Sequence, residues 1–256
     1  MMDTENIKLL VVAGTADGVK FIAAQPPQTK IVATTFSQLG ADCITPRPGL
    51  EIISGALDSE GFAALIRDKQ PNFLVDLSHP FAVEVSANAK AAAEACGIPY
   101  LRFERQTVEN SSGRCLRFPD FPSAVEALKK IPGNIFLTIG SKNLHYFQVL
   151  PDFHERCYMR VLAESRIFLE LEEMQIDPAH VFAMKGVASA ELNIALARQF
   201  NAAAIVSKDS GITGGICEKM QAAAALNIPL LLIDRPKSAG TVYETLDDLN
   251  RAIYQA

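Results

Sequence analysis

The densest run of chemistry-bearing residues is Ser207-Lys208-Asp209-Ser210-Gly211-Ile212-Thr213-Gly214-Gly215-Ile216-Cys217-Glu218-Lys219. It follows an apolar run, Ala202–Val206, and leads into an alanine-rich helical pattern. Glycines, hydroxyls, a lysine at the strand end and a helix N-terminus together predict a pocket of donors for an anion. The GKS/T ending of a P-loop is missing, so this is not an NTP cradle of that type. Two similar turns follow other apolar runs: Gly140-Ser141-Lys142, and Lys185-Gly186 leading to Ser189, which also suits a helix cap. With Arg235 in an IDRP close, Lys142, Lys185 and Lys208 are predicted to converge on one sheet edge, implying a substrate with several carboxylates. The substrate contacts predicted in this half are Gly140, Ser141, Lys142, Gly186, Ser189, Ser210, Gly211, Gly214, Gly215, Lys219 and Arg235. Arg102 and Arg105, in PYLRFER, are two more candidates, or solvated charges at a strand end.

A second constellation lies near the N-terminus. The apolar run ending at Ala13 meets Gly14-Thr15-Ala16-Asp17 and then a helical pattern. A small-residue turn there lets backbone N–H groups approach a pyrophosphate, although the GxGxxG spacing is absent and a plain strand-to-helix turn capped by Asp17 reads equally well. The next strand ends in Thr35-Phe36-Ser37 with no acid before Asp42. The Thr35 and Ser37 hydroxyls therefore suit a ribose 2′-phosphate at least as well as a bare ribose, which favours NADPH with NADH as the alternative. His79-Pro80-Phe81 opens a helix after a third strand, and His79 there is a contact to the nicotinamide end, a proton donor or a packing group.

These residues need a scaffold that brings strand ends together. Short apolar runs (7–13, 30–35, 73–76, 99–103) alternate with helical patterns (17–24, 59–69, 83–96). The rhythm breaks between Gln106 and Gly133, where the one helical pattern is 123–130, then resumes with strands at 135–139, 157–162, 181–184, 204–207 and 230–233. Helical patterns follow at 144–148, 165–174, 189–200, 216–226 and 246–254. Strands alternating with helices predict parallel sheets. The expected fold class is α/β, with two lobes, residues 1–110 binding a dinucleotide and 111–256 supplying the substrate site, and a cleft between them.

Net charge −5 argues against a protein built to grip nucleic acid. The five cysteines are scattered, odd in number and never CxxC, so neither a disulfide framework nor a metal site is expected. The acidic N-terminal stretch lacks the pattern of a signal peptide, and no stretch reaches the ~20 apolar residues of a membrane span. The expected compartment is the cytoplasm, and the expected state a monomer or small homo-oligomer.

Taken in order, AGTADG, DLSHPFA, PYLRFER, LTIGSKNL, KGVASAELN, SKDSGITGG-CEK and the IP…IDRP close resemble the precorrin-6A reductase family of cobalamin biosynthesis. The resemblance runs through almost the whole chain. It implies two Rossmann-like lobes and reduction of the C18–C19 double bond of precorrin-6A, or its cobalt form, by hydride from a nicotinamide cofactor. A corrin precursor is apolar across its ring and edged with carboxylates, which suits the second lobe. Hydride transfer needs reacting atoms within about 3–3.5 Å, so positioning supplies much of the rate. Lys208 is the candidate proton donor or charge stabiliser, with Asp209 orienting it. The chain departs from the family at Ala13, where a glycine is usual, at Asp17 in place of glutamate, and at Val187-Ala188 in place of Pro-Phe.

Other readings make different demands. A short-chain dehydrogenase needs a YxxxK pair, but Tyr100 and Tyr146 are followed four residues on by Glu104 and Leu150. A reductase of another polycarboxylate, or a non-catalytic two-lobed binding protein, would also suit the architecture, and the latter has no use for a dinucleotide loop.

Overall fold

The structure is a computed structural model that describes residues 7–107, 114–238 and 241–255. The chain divides into two compact units, one formed by Met1–Gln106 and Pro236–Ala256, the other by Thr107–Arg235.

In the first unit the elements run β1 (Lys8–Val12), α1 (Ala16–Ala24), β2 (Lys30–Thr35), α2 (Gln38–Ala41), β3 (Leu50–Ser54), α3 (Ser59–Lys69), β4 (Phe73–Asp76), α4 (Val83–Cys96) and β5 (Tyr100–Phe103). The second unit carries β6 (Cys115–Phe118), α5 (Phe121–Leu128), β7 (Asn134–Thr138), α6 (Phe153–Arg156), β8 (Cys157–Val161), α7 (Ser165–Glu173), β9 (Val181–Ala183), α8 (Ala190–Gln199), β10 (Ala202–Lys208), α9 (Ile216–Leu226) and β11 (Leu230–Ile233). The chain then returns to the first unit as β12 (Val242–Tyr243) and α10 (Leu246–Tyr254).

Both sheets are six-stranded and parallel throughout. The first reads β3-β2-β1-β4-β5-β12 and the second β9-β8-β7-β10-β11-β6. The first has the 3-2-1-4-5-6 order of a Rossmann sheet, with β12 in sixth place; the second repeats 3-2-1-4-5 from β7 onward and takes β6, the first strand of its own unit, in sixth place. The direction of winding reverses between β1 and β4 in one unit and between β7 and β10 in the other. Loops leaving those paired strands diverge and open a crevice at the carboxyl ends, the place where such sheets bind ligands.

Burial explains the strands. β4 and β11 are buried along their whole length, as expected of parallel strands covered on both faces. One face of the first sheet packs Leu9, Val11, Phe21, Phe73 and Val75, and the other packs Leu10, Val12, Phe62, Leu74 and Ala89. In the second unit Phe136, Phe200, Ile205, Met220, Leu230 and Leu232 share one core. Among the described residues no helix is long and apolar enough to cross a membrane.

The structure departs from the expected organisation at its ends. The expected boundary near residue 110 lies outside the described residues. Residues 236–256, expected in the second lobe, pack on the first: Leu249 and Ile253 join the core of Leu9 and Phe21, and Val242 and Tyr243 pair with Arg102 and Phe103 of β5. Hydrogen bonds from Gln25 to Asn250 (3.1 Å) and between Thr29 and Tyr254 (2.9 Å) seal that contact. Three edge strands, β3, β6 and β12, escape the apolar-run pattern because each is short and partly exposed. The helix expected at 144–148 is a 3-10 turn over Ser141–Tyr146.

Candidate functional site

In the first unit, Thr15 organises the β1–α1 loop. Its hydroxyl accepts from the Gly18 N–H (3.2 Å), capping α1, and donates to the Leu77 carbonyl (2.8 Å) in the loop after β4. One side chain therefore ties together the two loops that diverge at the switch point. Gly18 packs so closely on the strand that an added Cβ would lie 2.9 Å from Ala13 Cα, whereas one at Gly14 would meet nothing within 4 Å. Asp17 is buried and forms an ion pair with Arg105. Thr15, Asp17, Leu77, Ser78, Pro80, Phe103, Glu104 and Arg105 line one pocket.

The neighbouring loops turn their expected ligand groups inward. The Thr35 hydroxyl donates to the Ser37 carbonyl (3.1 Å), and the Ser37 hydroxyl caps α2 by accepting from the Gly40 N–H (3.4 Å). Phe36, between them, is half exposed. His79 Nδ1 accepts from the Phe81 N–H (3.2 Å), which puts the ring proton on Nε2 in this arrangement and orders the Ser-His-Pro-Phe turn.

Arg102 and Arg105, expected at the substrate, both belong to the first unit. Arg102 is buried and pairs with Asp76 (2.8 Å), with further bonds to the Ser78 hydroxyl (2.8 Å) and Glu104 (3.2 Å). Tyr100 donates to the second Asp76 oxygen (2.6 Å), and burial followed by the Asp76 charge pushes the phenol well above its ordinary pKa. Arg102 is thereby committed to the protein interior, and Arg105 to the rim of the β1–α1 loop.

In the second unit, Thr138 repeats the part played by Thr15, donating to the Val206 carbonyl (2.8 Å) from β7 across to β10. The loop after β7 passes through Gly140 (φ +75°), where an added Cβ would meet nothing within 4 Å, and carries Ser141 and Lys142. Opposite it, Lys208 ends β10. Burial and then the Lys142 charge lower its pKa to about 8, so the two ammonium groups feel one another. Ser189 caps α8 by accepting from Leu192 N–H (3.2 Å), and Gly186 holds φ +95°.

The glycine-rich loop differs from the pocket of free N–H donors that its composition suggests. The N–H groups of Ser210, Gly214 and Gly215 bond to carbonyls within the turn, and that of Gly211 bonds to Asp209 (3.3 Å). The Ser210 hydroxyl bonds to the Gly214 carbonyl (3.1 Å). Lys219 is buried and donates to the Gly214 and Gly215 carbonyls (3.1 Å each). Burial, then Arg160 and Lys208, lower its pKa to about 7, against an opposing contribution from Glu218. Asp209 is fully buried between Arg117 (2.5 Å) and Arg235 (3.1 Å). Burial alone would raise that carboxyl, but the two arginines outweigh it and hold the group below its usual value. Arg235 thus serves Asp209, and Asp209 is engaged by arginines where orientation of Lys208 was expected.

Several residues went unrecognised in the sequence. Asp76 closes an apolar run, and Arg117 lies in the stretch where the alternation fails. Arg160, by contrast, is legible in the sequence as a charge near a strand end; it is the fourth residue of β8 and bonds to the buried Asn193 (2.8 Å). Val187 and Ile212, 54% and 63% exposed, flank the glycine loop: a Cβ on Gly215 would lie 2.5 Å from Val187 Cγ1. Two such apolar side chains beside lysines make an amphipathic surface, a signal that period-based reading discards as noise.

The chain matches the family described as Precorrin-6x reductase CbiJ/CobK over residues 8–254. It belongs to this family. Among relatives, it is 33% identical to a cobalt-precorrin-6A reductase of Methanothermobacter thermautotrophicus, over 96% of this chain and 83% of that protein. It is 30% identical to one of Priestia megaterium, over 96% of this chain and 97% of that protein. A solved structure of CobK precorrin-6A reductase superposes with a TM-score of 0.78 at 25% identity, covering 97% of both chains. Membership of the precorrin-6x reductases makes the chain an oxidoreductase, and its two parallel sheets are the two Rossmann-like folds expected.

The first-unit loop fits the nicotinamide dinucleotide such a reductase needs. Space is open above Gly14 for close backbone approach, and α1 points its capped N-terminus at that space. Two carboxylates border that pocket, and each is paired with an arginine: Asp17 with Arg105, and Glu104 with Arg102 (3.2 Å).

Proposed function

We propose that this precorrin-6x reductase reduces precorrin-6A, or its cobalt form, to the 6B form at the C18–C19 bond, using NADPH or alternatively NADH, in the cytoplasm. The observation that carries the reading is the family match from residue 8 to 254, which spans both units. The switch-point loops support it, one open to a pyrophosphate and the other bearing paired lysines.

When bound, the nicotinamide supplies the hydride. Gly14, Thr15 and Ala16 receive the pyrophosphate at the N-terminus of α1, while Arg105 keeps Asp17 from repelling it. Pro80 lines the pocket beside Thr15, and the His79-Phe81 turn that carries it would hold the nicotinamide end. Lys142 binds a substrate carboxylate beside Lys208, and Val187 and Ile212 meet the apolar face of the ring. Reduction leaves one carbon needing a proton. Lys208 Nζ, with a pKa near 8, is still mostly protonated at neutral pH and acid enough to donate.

Anaerobic incubation of the protein with each substrate form and each nicotinamide tests this, followed by corrinoid absorbance and nicotinamide fluorescence. Consumption of NADPH matched by a spectral change of the macrocycle is the expected result. No turnover with any pairing, and no fluorescence change on titration with either nicotinamide, would end the proposal.

A further inference from the structure

We propose that Asp76 and Asp209 are equivalent positioning residues, each setting the ligand loop of its own unit through a buried arginine latch, so that weakening one latch impairs one ligand only. The inference rests on the reading above, which gives the first unit the dinucleotide and the second the corrin carboxylates.

The equivalence is geometric. β4 and β10 hold the same fourth place in the two sheet orders. Asp76 is the last residue of β4, and Asp209 follows the last residue of β10. Both are 0% exposed. In each, one carboxylate oxygen accepts the N–H two residues on: Ser78 at 2.8 Å, Gly211 at 3.3 Å. That same oxygen takes an arginine from the next strand or just beyond it, Arg102 of β5 at 2.8 Å and Arg235 after β11 at 3.1 Å. The other oxygen is held in both cases too, by Tyr100 (2.6 Å) and by Arg117 (2.5 Å). A threonine also crosses each switch point, Thr15 from the loop after β1 to Leu77 just beyond β4 and Thr138 from the end of β7 to Val206 within β10, both at 2.8 Å.

Stability does not call for this arrangement, since a buried ion pair is often no better than apolar groups of equal volume. Its product is shape. The Asp76 latch fixes the path of Leu77, Ser78 and Pro80, which line the pocket beside Thr15. The Asp209 latch fixes the start of the turn from Ser210 to Gly215 beside Lys208. Both carboxylates are 0% exposed, so both act through the loops they hold.

Asp76→Asn and Asp209→Asn keep the side-chain acceptor and remove the charge. In the full chain, Asp76→Asn is expected to raise KM for the nicotinamide about tenfold or more while leaving KM for the corrin within about twofold; Asp209→Asn should do the reverse. Arg102→Lys and Arg235→Lys keep the positive charge but lose the forked geometry, so each should raise KM for its own unit's ligand by less than the matching Asn variant does. They also serve if an Asn variant fails to fold, because each should shift the KM of its own unit's ligand alone. Thermal melts run alongside separate shape from stability. Variants that lose thermal stability with neither KM changed, or that shift both KM values together, would overturn the latch. Wild-type protein assayed in the same series keeps the two questions apart, since absent turnover there counts against the proposed function instead.

Discussion

Gly14 and Gly18 flank the same turn yet should respond to alanine in opposite ways. At Gly14 the added Cβ meets nothing within 4 Å, and the backbone is outside the left-handed region. The fold should therefore tolerate Gly14→Ala, or gain about 0.4–1 kcal/mol from the stiffer unfolded chain. A dinucleotide would be affected instead, because the methyl stands where the pyrophosphate approaches the backbone. Losing one charge-assisted hydrogen bond costs about 1.5–3 kcal/mol, or about 10–100-fold in Kd. At Gly18 the Cβ would lie 2.9, 3.1 and 3.3 Å from Ala13 Cα, C and Cβ, against a strand that cannot move aside. Overpacking of this kind costs about 1–3 kcal/mol, at about 2–4 °C of Tm for each kcal/mol. Thermal melts and NADPH fluorescence titrations on both variants form the assay. If Gly14→Ala binds NADPH within about twofold of wild type, the backbone above α1 is not the pyrophosphate site and the reasoning fails.

Single-turnover reduction should slow as pH rises through about 8, where Lys208 loses its proton, and Lys208→Met should lose that limb together with about 100-fold in rate. Lys219 has a native pKa near 7 against 10.5 unfolded, so between those values the unfolded chain binds more protons and stability rises with pH. Relative to Lys219→Met, the wild-type unfolding free energy from urea titrations should climb from pH 7 toward pH 9, by about 1.4 kcal/mol per pH unit at most. Gly215→Ala meets both φ +77° and Val187 Cγ1 at 2.5 Å, so it should destabilise by more than the about 1–2 kcal/mol of the backbone alone. Adding Val187→Ala should recover only the contact part in a double-mutant cycle of melting curves.

The alternation of apolar runs and helices was enough to give parallel sheets, because central strands such as β1, β4 and β11 are buried on both faces and read as unbroken apolar runs. Edge strands carry no such mark: Leu116 and Arg117, on opposite faces of β6, are both exposed and look like loop. The loops were legible as ligand loops from their glycines and lysines, but the direction of each side chain was not. Arg102, Asp209 and Arg235 read as charges aimed at a ligand, yet each finds its partner across the sheet, more than twenty residues away in the chain. A sequence displays charges without their pairings, and pairing decides whether a charge faces the ligand or the interior.

The return of the chain to its first unit bears on how the protein is made. While a ribosome extends the polypeptide, residues up to Gln106 emerge long before β12 and α10, which supply the sixth strand and the Leu249 and Ile253 side chains of their core. The first unit must wait with the β5 edge and part of one apolar face uncovered until β12 and α10 have been synthesised, more than a hundred residues later. A premature stop before Val242 would thus damage the unit synthesised first, and protease sensitivity of the shortened chain should appear there and not in the segment beside the stop.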